Sequence, residues 1–154
     1  MGKHIASAFS KKALFYSTDK NSFVENDGVL VNDIVTGFGP CILEGDQVEV
    51  HYRSYYQSPG SGTRIKFDDS NNQKNEIVLK YGTSPVILGW NLGLRSMRQG
   101  GMRTIIIPPE LAYGSKSVEC QGKSIPPNSE LLFDLELVSV KKKRRNCRLR
   151  NFLN

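Results

Sequence analysis

One stretch, residues 85–114, constrains the fold of this chain more than any other part of its sequence. It reads PVILGWNLGLRSMRQGGMRTIIIPPELAYG and joins a short apolar segment, a Gly-Trp pair, a Gly-Gly pair, an isoleucine-rich run and a Pro-Pro…Tyr-Gly loop. Glycine pairs commonly follow helices, whereas runs of β-branched residues favour strands. This order therefore predicts a helix, a turn, a β-strand and a loop in direct succession.

The predicted helix has one apolar face. Ile87, Trp90, Leu94 and Met97 follow one another at spacings of three and four, which places them on the same side of a helix. We expect Gly100-Gly101 to end this helix. The run that follows, Met102–Ile107, is the most β-branched in the chain and predicts a buried strand.

Most of the remaining periodicity is that of strands. After Gly45-Asp46, the residues Val48, Val50 and Tyr52 alternate with polar ones, so we expect them to face inward. Similar short patterns occur at Val29–Val35, Ile65–Phe67, Ile77–Leu79 and Leu131–Val140. Since a sheet of this kind needs the helix to cover one of its faces, we predict an α+β fold. Its twisted antiparallel sheet would have about five strands wrapped around one short helix.

Charge separates a domain from two terminal segments. The chain has 154 residues and a net charge of +6, but seven Lys/Arg and no acid lie from Lys141 onward, so the rest carries about −1. We therefore expect a single domain at 28–140, which gives no support to nucleic-acid binding by the domain itself. The tail 141–154 is interpreted as solvated charge, a nuclear-localisation-like patch or an anchor on RNA or anionic lipid.

The first 27 residues are basic, serine-containing and poor in acids. This composition fits an organelle transit peptide of the plastid kind, or a leader without structure of its own, or an arm that binds a partner. The compartment stays open between an organelle, the cytoplasm and the nucleus. We expect no membrane span, because no apolar run approaches the roughly 18 residues that a span needs.

Several kinds of chemistry find no support in the sequence. It contains no HExxH, GxSxG or Walker motif, and its two histidines are too few for a histidine-based metal site. Its three cysteines are far apart, which argues against a zinc site and a disulfide framework. We expect free thiols, with a Cys41–Cys120 bridge as the alternative. The sequence thus predicts neither a metal nor a cofactor.

Aromatic and aliphatic residues near strand ends and loops carry a more specific signal. Each of them alone would be an ordinary core residue, but their local contexts come in a characteristic order. These contexts are His51-Tyr52, Lys66-Phe67-Asp68 with Ser70, Val86-Ile87-x-Gly89-Trp90, Ala112-Tyr113-Gly114, Ile125-Pro126-Pro127 and Phe133-Asp134-Leu135-Glu136-Leu137. From about Gly28 to Val140 the chain resembles the FKBP family, the macrolide-binding immunophilins that are peptidyl-prolyl cis–trans isomerases. The resemblance implies an FKBP-like fold and an enzyme that assists protein folding by accelerating rotation about X–Pro bonds.

The resemblance also implies roles for individual residues. Trp90 would form the floor of a pocket, the Tyr113 hydroxyl and the Ile87 backbone N–H would donate to substrate carbonyls, and Asp68 would accept a hydrogen bond at the rim. The implied catalytic set is Tyr52, Phe67, Asp68, Trp90, Tyr113 and Phe133, and the implied substrate-binding set is Ile77, Val86, Ile87 and Ile125. The implied ligands are proline-containing polypeptides and macrolide inhibitors, and no cofactor is implied.

The chain departs from the family pattern at several positions. Ile77 stands where the family commonly has an aromatic residue, and the segment after Asp68 lacks an arginine that many members carry there. The loop that follows Ser54 and runs to Phe67 and the loop between Tyr113 and Ile125 also look extended. These departures keep a second hypothesis open. In it, the chain is a catalytically weak FKBP-fold module that serves a large protein or ribonucleoprotein assembly through its termini.

Overall fold

The computed structural model describes residues 23–71 and 76–144. They form nine β-strands, one α-helix and a short 3₁₀ turn at Pro109–Leu111. The strands are β1 (Val24–Asn26), β2 (Val29–Val35), β3 (Gln47–Gln57), β4 (Ile65–Asp69), β5 (Ile77–Lys80), β6 (Met102–Ile107), β7 (Val118–Cys120), β8 (Lys123–Ile125) and β9 (Glu130–Lys141), and the helix is α1 (Leu88–Leu94). In these two ranges no helix is long and apolar enough to cross a membrane.

Seven of the strands form one antiparallel sheet in the order β1-β2-β6-β9-β3-β4, with β5 also paired to β3. Its centre is the long pairing of β3 with β9, which runs from Gln47 opposite Lys141 to Gln57 opposite Glu130. Because β4 and β5 pair with the two ends of β3, they occupy the same edge of the sheet. The predicted α+β architecture is therefore confirmed, with a sheet of more strands than the five or so expected.

Helix α1 packs on one face of this sheet and is shorter than the sequence pattern predicts. Trp90, Leu94 and Met97 are all buried, as expected for the apolar face. However, Arg95 already has an extended ψ of 136°, and Ser96 has a φ of +67°. The prediction that the helix continues to Gly100-Gly101 was wrong, because a left-handed serine turns the chain earlier. Met97 lies in the turn that follows, where its N–H donates to the Leu94 carbonyl.

Two glycines allow the helix to lie very close to strand β6. A Cβ atom at Gly89 would meet three side-chain carbons of Ile107 at less than 3.0 Å, and one at Gly93 would lie 2.6 Å from Cδ1 of Ile105. Real Cβ atoms essentially never come that close to another heavy atom. The glycines therefore set the distance between α1 and the sheet, and with it the depth at which Trp90 sits.

The end of the helix is held by a buried arginine on β6. Nη1 of Arg103 donates to the carbonyls of Gly93 and Arg95, at 2.8 Å each. The same guanidinium forms two hydrogen bonds with Asp33, at 2.6 and 3.1 Å. A guanidinium suits this position because its donors reach the last helical carbonyls and a carboxylate at once. Arg103 thus connects α1, β6 and β2.

The ends of the described domain are attached to the sheet. Val24–Asn26, assigned from the sequence to the N-terminal extension, pairs with β2 as strand β1. At the other end, the fully buried Asp46 accepts hydrogen bonds from Nζ of Lys142 and the backbone N–H of Lys143, both at 2.9 Å. Burial pushes the pKa of Asp46 upward, but these bonds and one from the Leu43 N–H outweigh it and hold the pKa below its ordinary value. The interpretations of residues 1–22 and 145–154 concern segments outside the described residues.

The segment between Tyr113 and Ile125 is more ordered than its polar sequence suggests. Strands β7 and β8 form a hairpin in which Val118 pairs with Ile125 and Cys120 with Lys123. The turn uses Gln121 and Gly122, both with positive φ, which is the geometry of tight two-residue hairpins. Both Cys41 and Cys120 are free thiols, as expected.

Candidate active site

Trp90 lies at the centre of a row of aromatic rings between the helix and the sheet. The Tyr52 ring meets it edge-on with centroids 5.6 Å apart, and the Phe133 ring does so at 5.4 Å. Phe67 continues the row, 6.4 Å from Phe133. All four side chains are about 5% exposed. Edge-to-face contacts of this kind stabilise a fixed arrangement of rings beyond what burial alone provides.

Strand pairing explains why these side chains meet. Tyr52 on β3 and Phe133 on β9 lie on the face of the sheet that the helix covers, and β4 brings Phe67 alongside them. Helix α1 then places Trp90 over the same face. The four aromatic positions inferred from the sequence are therefore brought together by three strands and one helix.

A short hydrogen bond joins the row to an acidic side chain. The Tyr52 hydroxyl donates to Oδ2 of Asp68 at 2.5 Å. Burial, followed by this bond and the charge of Asp68, raises the pKa of Tyr52 well above its ordinary value. The phenol is therefore a persistent donor at neutral pH, and the carboxylate is held at one position.

Ser70, which is almost fully buried, follows directly on β4, the strand that carries Asp68. Its hydroxyl accepts from the Tyr52 N–H at 3.0 Å, while its own N–H donates to the Tyr52 carbonyl at 3.0 Å. His51 lies against the same hydroxyl at 3.2 Å and against Glu76 at 3.3 Å. These contacts hold the end of β4 against β3.

Tyr113 approaches the site from the loop after the 3₁₀ turn. Its side chain is half-buried and packs against the core that contains the aromatic row. Burial raises the pKa of its hydroxyl, and the nearby thiol of Cys120 and carboxylate of Asp68 add to that rise. The Tyr113 hydroxyl is therefore a protonated donor close to Asp68.

The aliphatic residues surround this group on other sides. Ile125 on β8 is 1% exposed and belongs to the same core. Val86, Ile87 and Ile77 are half-buried and pack against it, the first two directly before helix α1 and the third at the start of β5. Nine of the ten side chains implied by the resemblance thus belong to or contact one apolar cluster. The tenth, Asp68, is joined to it through Tyr52.

The β7–β8 hairpin is tethered over the site. Nζ of Lys123 donates to the Lys66 carbonyl of β4 at 2.6 Å, and the Asn128 N–H donates to the Gly114 carbonyl at 2.8 Å. The Ser117 hydroxyl donates to the Ile125 carbonyl at 3.3 Å. These bonds attach the β7–β8 hairpin on both sides of Ile125 and hold that side chain against the core.

Two neighbours of the site were missed in the sequence. Tyr56 lies 6.1 Å from Phe67, ring to ring, and extends the aromatic row. If the alternation of Val48, Val50 and Tyr52 is continued for two more steps, it predicts that Tyr56 also faces inward. Burial raises the pKa of the Cys120 thiol, and the negative charge of nearby Asp68 adds to that rise. No sequence pattern marks a single cysteine in a polar loop.

The basic groups near the acidic rim also differ from the family pattern. In the place of the missing arginine partner, Lys66 and Arg53 both contact Asp69, the neighbour of Asp68. In the described ranges, no group of three or more His, Cys, Asp and Glu side chains could hold a metal ion. What the site offers chemically is a desolvated aromatic surface, a carboxylate that already accepts from the Tyr52 phenol, and the phenol of Tyr113 as a further donor.

Comparison with known proteins gives one consistent family. The family model described as FKBP-type peptidyl-prolyl cis-trans isomerase matches residues 41–138. An "FK506-binding protein" of Neisseria meningitidis serogroup B is 34% identical over 113 residues, which are 73% of this chain and 96% of that protein. "Peptidyl-prolyl cis-trans isomerase FKBP13, chloroplastic" of Arabidopsis thaliana is 36% identical over 134 residues, which are 82% of this chain and 62% of that protein.

Solved structures agree. The crystal structure of AtFKBP13 superposes with a TM-score of 0.65 at 36% identity, covering 78% of this chain and 98% of that one. FkpA from Escherichia coli gives a TM-score of 0.65 at 30% identity, covering 91% of this chain and 60% of that one. The fold and the sequence thus point to the same relatives.

Proposed function

The chain belongs to the family of FKBP-type peptidyl-prolyl cis–trans isomerases, and we propose that the aromatic row around Trp90 is where it rotates the X–Pro bond. Family membership makes it an isomerase that accelerates this rotation. The observation that carries the placement is the position of Trp90, contacted edge-on by Tyr52 and Phe133 and lying at the start of a helix. A proline ring seated on the indole would bring its preceding carbonyl toward Tyr113 and the beginning of α1.

An apolar site suits this reaction because of what happens to the amide. The planar X–Pro bond has partial double-bond character, and rotation costs about 18–20 kcal/mol. On twisting, the amide loses resonance, so its carbonyl becomes less polar. A desolvated pocket therefore disfavours the planar ground state relative to the twisted transition state, which is the condition for catalysis. An acceleration of about 10⁴–10⁵ needs only roughly 5.5–7 kcal/mol.

Hydrogen-bond donors would orient the substrate. The Tyr113 hydroxyl stays protonated because its pKa is raised. The Ile87 N–H lies at the N-cap of α1, where the first N–H groups have no intrahelical acceptor. We expect these two groups to donate to substrate carbonyls, while Asp68, held by Tyr52, keeps the opposite rim negative and excludes acidic side chains next to the proline.

The natural ligands would be proline-containing polypeptides with apolar residues before the proline, because the walls formed by Val86, Ile87 and Ile125 are aliphatic. We also propose that the site binds macrolides of the FK506 type, as the name FK506-binding protein indicates for the Neisseria meningitidis relative. Ile77 provides a smaller wall than the aromatic residue common in the family. We therefore expect weaker macrolide binding than in members that have that ring.

A protease-coupled isomerisation assay with a proline tetrapeptide tests this placement. The variant Trp90→Leu/Tyr113→Phe should lose at least about tenfold in kcat/KM, since it removes both the platform and one donor. The matched control is Phe38→Leu, an aromatic-to-leucine change at a side chain that is 99% exposed. A folded double variant that keeps the activity of the Phe38→Leu control would refute the placement. Absence of activity in the folded unmutated chain would favour the module hypothesis.

A further inference from the structure

A cavity lies on the face of the sheet opposite the aromatic row. It has a volume of about 840 Å³, within the range of roughly 300–1,000 Å³ typical of ligand pockets. Its walls come from β3, β9, the loop 57–64 and the 3₁₀ turn, and they include Tyr55, Arg64, Glu130, Leu132 and Asp134. Since Tyr52 and Phe133 point to the helix side, their neighbours Tyr55, Leu132 and Asp134 point away from it. The aromatic row and this cavity therefore use alternate residues of the same two strands.

The loop that encloses the cavity is braced. Nε2 of Gln57 donates to the Ser61 carbonyl at 2.5 Å, and the Ser61 N–H donates to the Ser58 carbonyl at 3.1 Å. The Thr63 N–H also donates to the Ser61 hydroxyl at 3.1 Å. This loop is the segment that looked extended in the sequence. Its internal bonds hold a wall away from the sheet, so the space is present before any ligand arrives.

A carboxyl group lies on the floor. Asp134 is half-buried, and its Oδ1 accepts from the Thr104 hydroxyl at 2.8 Å. Burial raises the pKa of Asp134, in spite of that bond and of the positive charges of Arg53 and Arg64. The carboxylate is therefore poorly solvated, and a cation brought next to it would recover part of the lost hydration energy.

The rest of the lining selects the kind of cation. Two acids, Asp134 and Glu130, and one base, Arg64, line the cavity, which gives the lining side chains a net charge of −1. Arg53, whose charge also acts on Asp134, is not one of the lining residues. The Tyr55 ring, Pro59 and Pro109 line the same cavity as this carboxyl group. A planar guanidinium stacks on such surfaces and pairs with a carboxylate, whereas a hydrated ammonium does so less well.

We propose that this cavity binds an arginine side chain of a partner polypeptide, with the guanidinium on Asp134 and its stem along Tyr55 and Leu132. The serines and glycines of the loop 58–62 leave main-chain groups accessible at the mouth, where the flanking backbone of the peptide would lie. Both faces of the β3–β9 pair then bind polypeptide, one at a proline and the other at an arginine.

The test uses the full-length, ¹⁵N-labelled chain and a proline-free peptide, acetyl-Gly-Leu-Arg-Gly-amide. A second peptide carries citrulline, which has nearly the same shape as arginine without its charge. We expect amide shifts at Tyr55, Leu132 and Asp134, an unmoved indole N–H of Trp90, and at least about tenfold weaker binding of the citrulline peptide. Equal affinity for the two peptides, or shifts centred on Trp90, would overturn the proposal.

Two variants separate a specific contact from general charge. Asp134→Asn retains an oxygen for Thr104 and should lose at least about tenfold in affinity for the arginine peptide. Glu130→Gln makes the same charge change at another wall residue and should lose less than about threefold. An unmoved Trp90 indole resonance reports that each variant is folded. Equal losses in both variants would show that the peptide responds only to the net charge, and would refute the specific site.

Discussion

Replacing Gly89 by alanine tests whether the closeness of α1 to β6 determines both stability and activity. The added Cβ would meet three carbons of Ile107 at less than 3.0 Å, so the helix has to move outward or Ile107 has to leave its rotamer. Overpacking of this kind costs about 1–3 kcal/mol. The better helix propensity of alanine returns at most about 1 kcal/mol. Because one of the three contacts would be as short as 2.3 Å, the cost should lie in the upper half of that range, at about 2–3 kcal/mol. We therefore expect the free energy of unfolding to fall by about 1–2 kcal/mol.

Chemical denaturation followed by tryptophan fluorescence measures this change directly, because Trp90 is the single tryptophan of the chain and is 5% exposed. The matched control is Gly62→Ala, where an added Cβ has nothing within 4 Å. That variant should stay within about 0.5 kcal/mol of the unmutated protein, or gain slightly through a less flexible unfolded state. Gly89→Ala should also lower kcat/KM, by about tenfold or more if Trp90 moves by about 1 Å.

A double-variant cycle with Ile107→Ala identifies the contact responsible. Truncation of Ile107 alone should cost about 2–5 kcal/mol because it leaves a cavity. In the presence of Gly89→Ala the new methyl group occupies part of that cavity, so the double variant should be more stable than the sum of the single changes by about 1–3 kcal/mol. Additive losses, or a Gly89→Ala variant as stable as Gly62→Ala, would refute the close-packing argument.

Three further predictions concern the polar contacts that hold the site and the domain. The pKa of Tyr52 is raised in the folded state, so its contribution to stability is complete below the unfolded pKa of about 10 and is lost as the pH rises beyond that value. Tyr52→Phe should therefore flatten the decline of the unfolding free energy above pH 10. An unchanged slope would contradict this. The pKa of Asp46 is lowered by its hydrogen bonds, so its contribution to stability is present above about pH 3.8 and is lost below it. In an acid titration, Asp46→Asn should be less stable than the unmutated protein at pH 7 and should lose less stability on acidification. Parallel stability curves for the two proteins would argue against this. Arg103→Lys should lower the free energy of unfolding by about 3 kcal/mol or more, and kcat/KM as well, because an ammonium cannot reproduce the hydrogen bonds to Asp33 and to two helical carbonyls at once. Full activity and stability with lysine would show that the planar guanidinium is not needed.

The parts of this structure that follow from sequence are those with an unambiguous side-chain preference. Trp90, Phe67 and Phe133 are large and apolar, and they occur in segments whose periodicity orients them, so their burial could be predicted. The close approach of Gly89 and Gly93 to β6 could not, because a glycine in a helix pattern has no preference of its own and the distance depends on the partner strand.

The missed features share another cause. The helix ends at Leu94 because Ser96 takes a left-handed conformation, which nothing about a serine predicts. Each strand of the β7–β8 hairpin has only three residues, so the alternation of Val118, Glu119 and Cys120 is too short to predict a strand. The cavity that Asp134 lines was missed for a related reason. The polar residues of β3 and β9 that alternate with core residues are predicted from the sequence to face solvent. It is the path of the loop 57–64 that encloses them.

The pairing of β3 with β9 also has a consequence for how the chain is made. Gln57 lies opposite Glu130 and Gln47 opposite Lys141, so residues that pair in the two central strands are 73 to 94 positions apart in the sequence. During synthesis, β3 is complete long before its main partner exists, and β4 and β5 are the neighbours it meets first. The central pair closes a long loop, which is a slow kind of contact to form. A chain stopped before Glu130 would lack the middle of its sheet, so this domain becomes a folded catalyst only when nearly all of it has been translated.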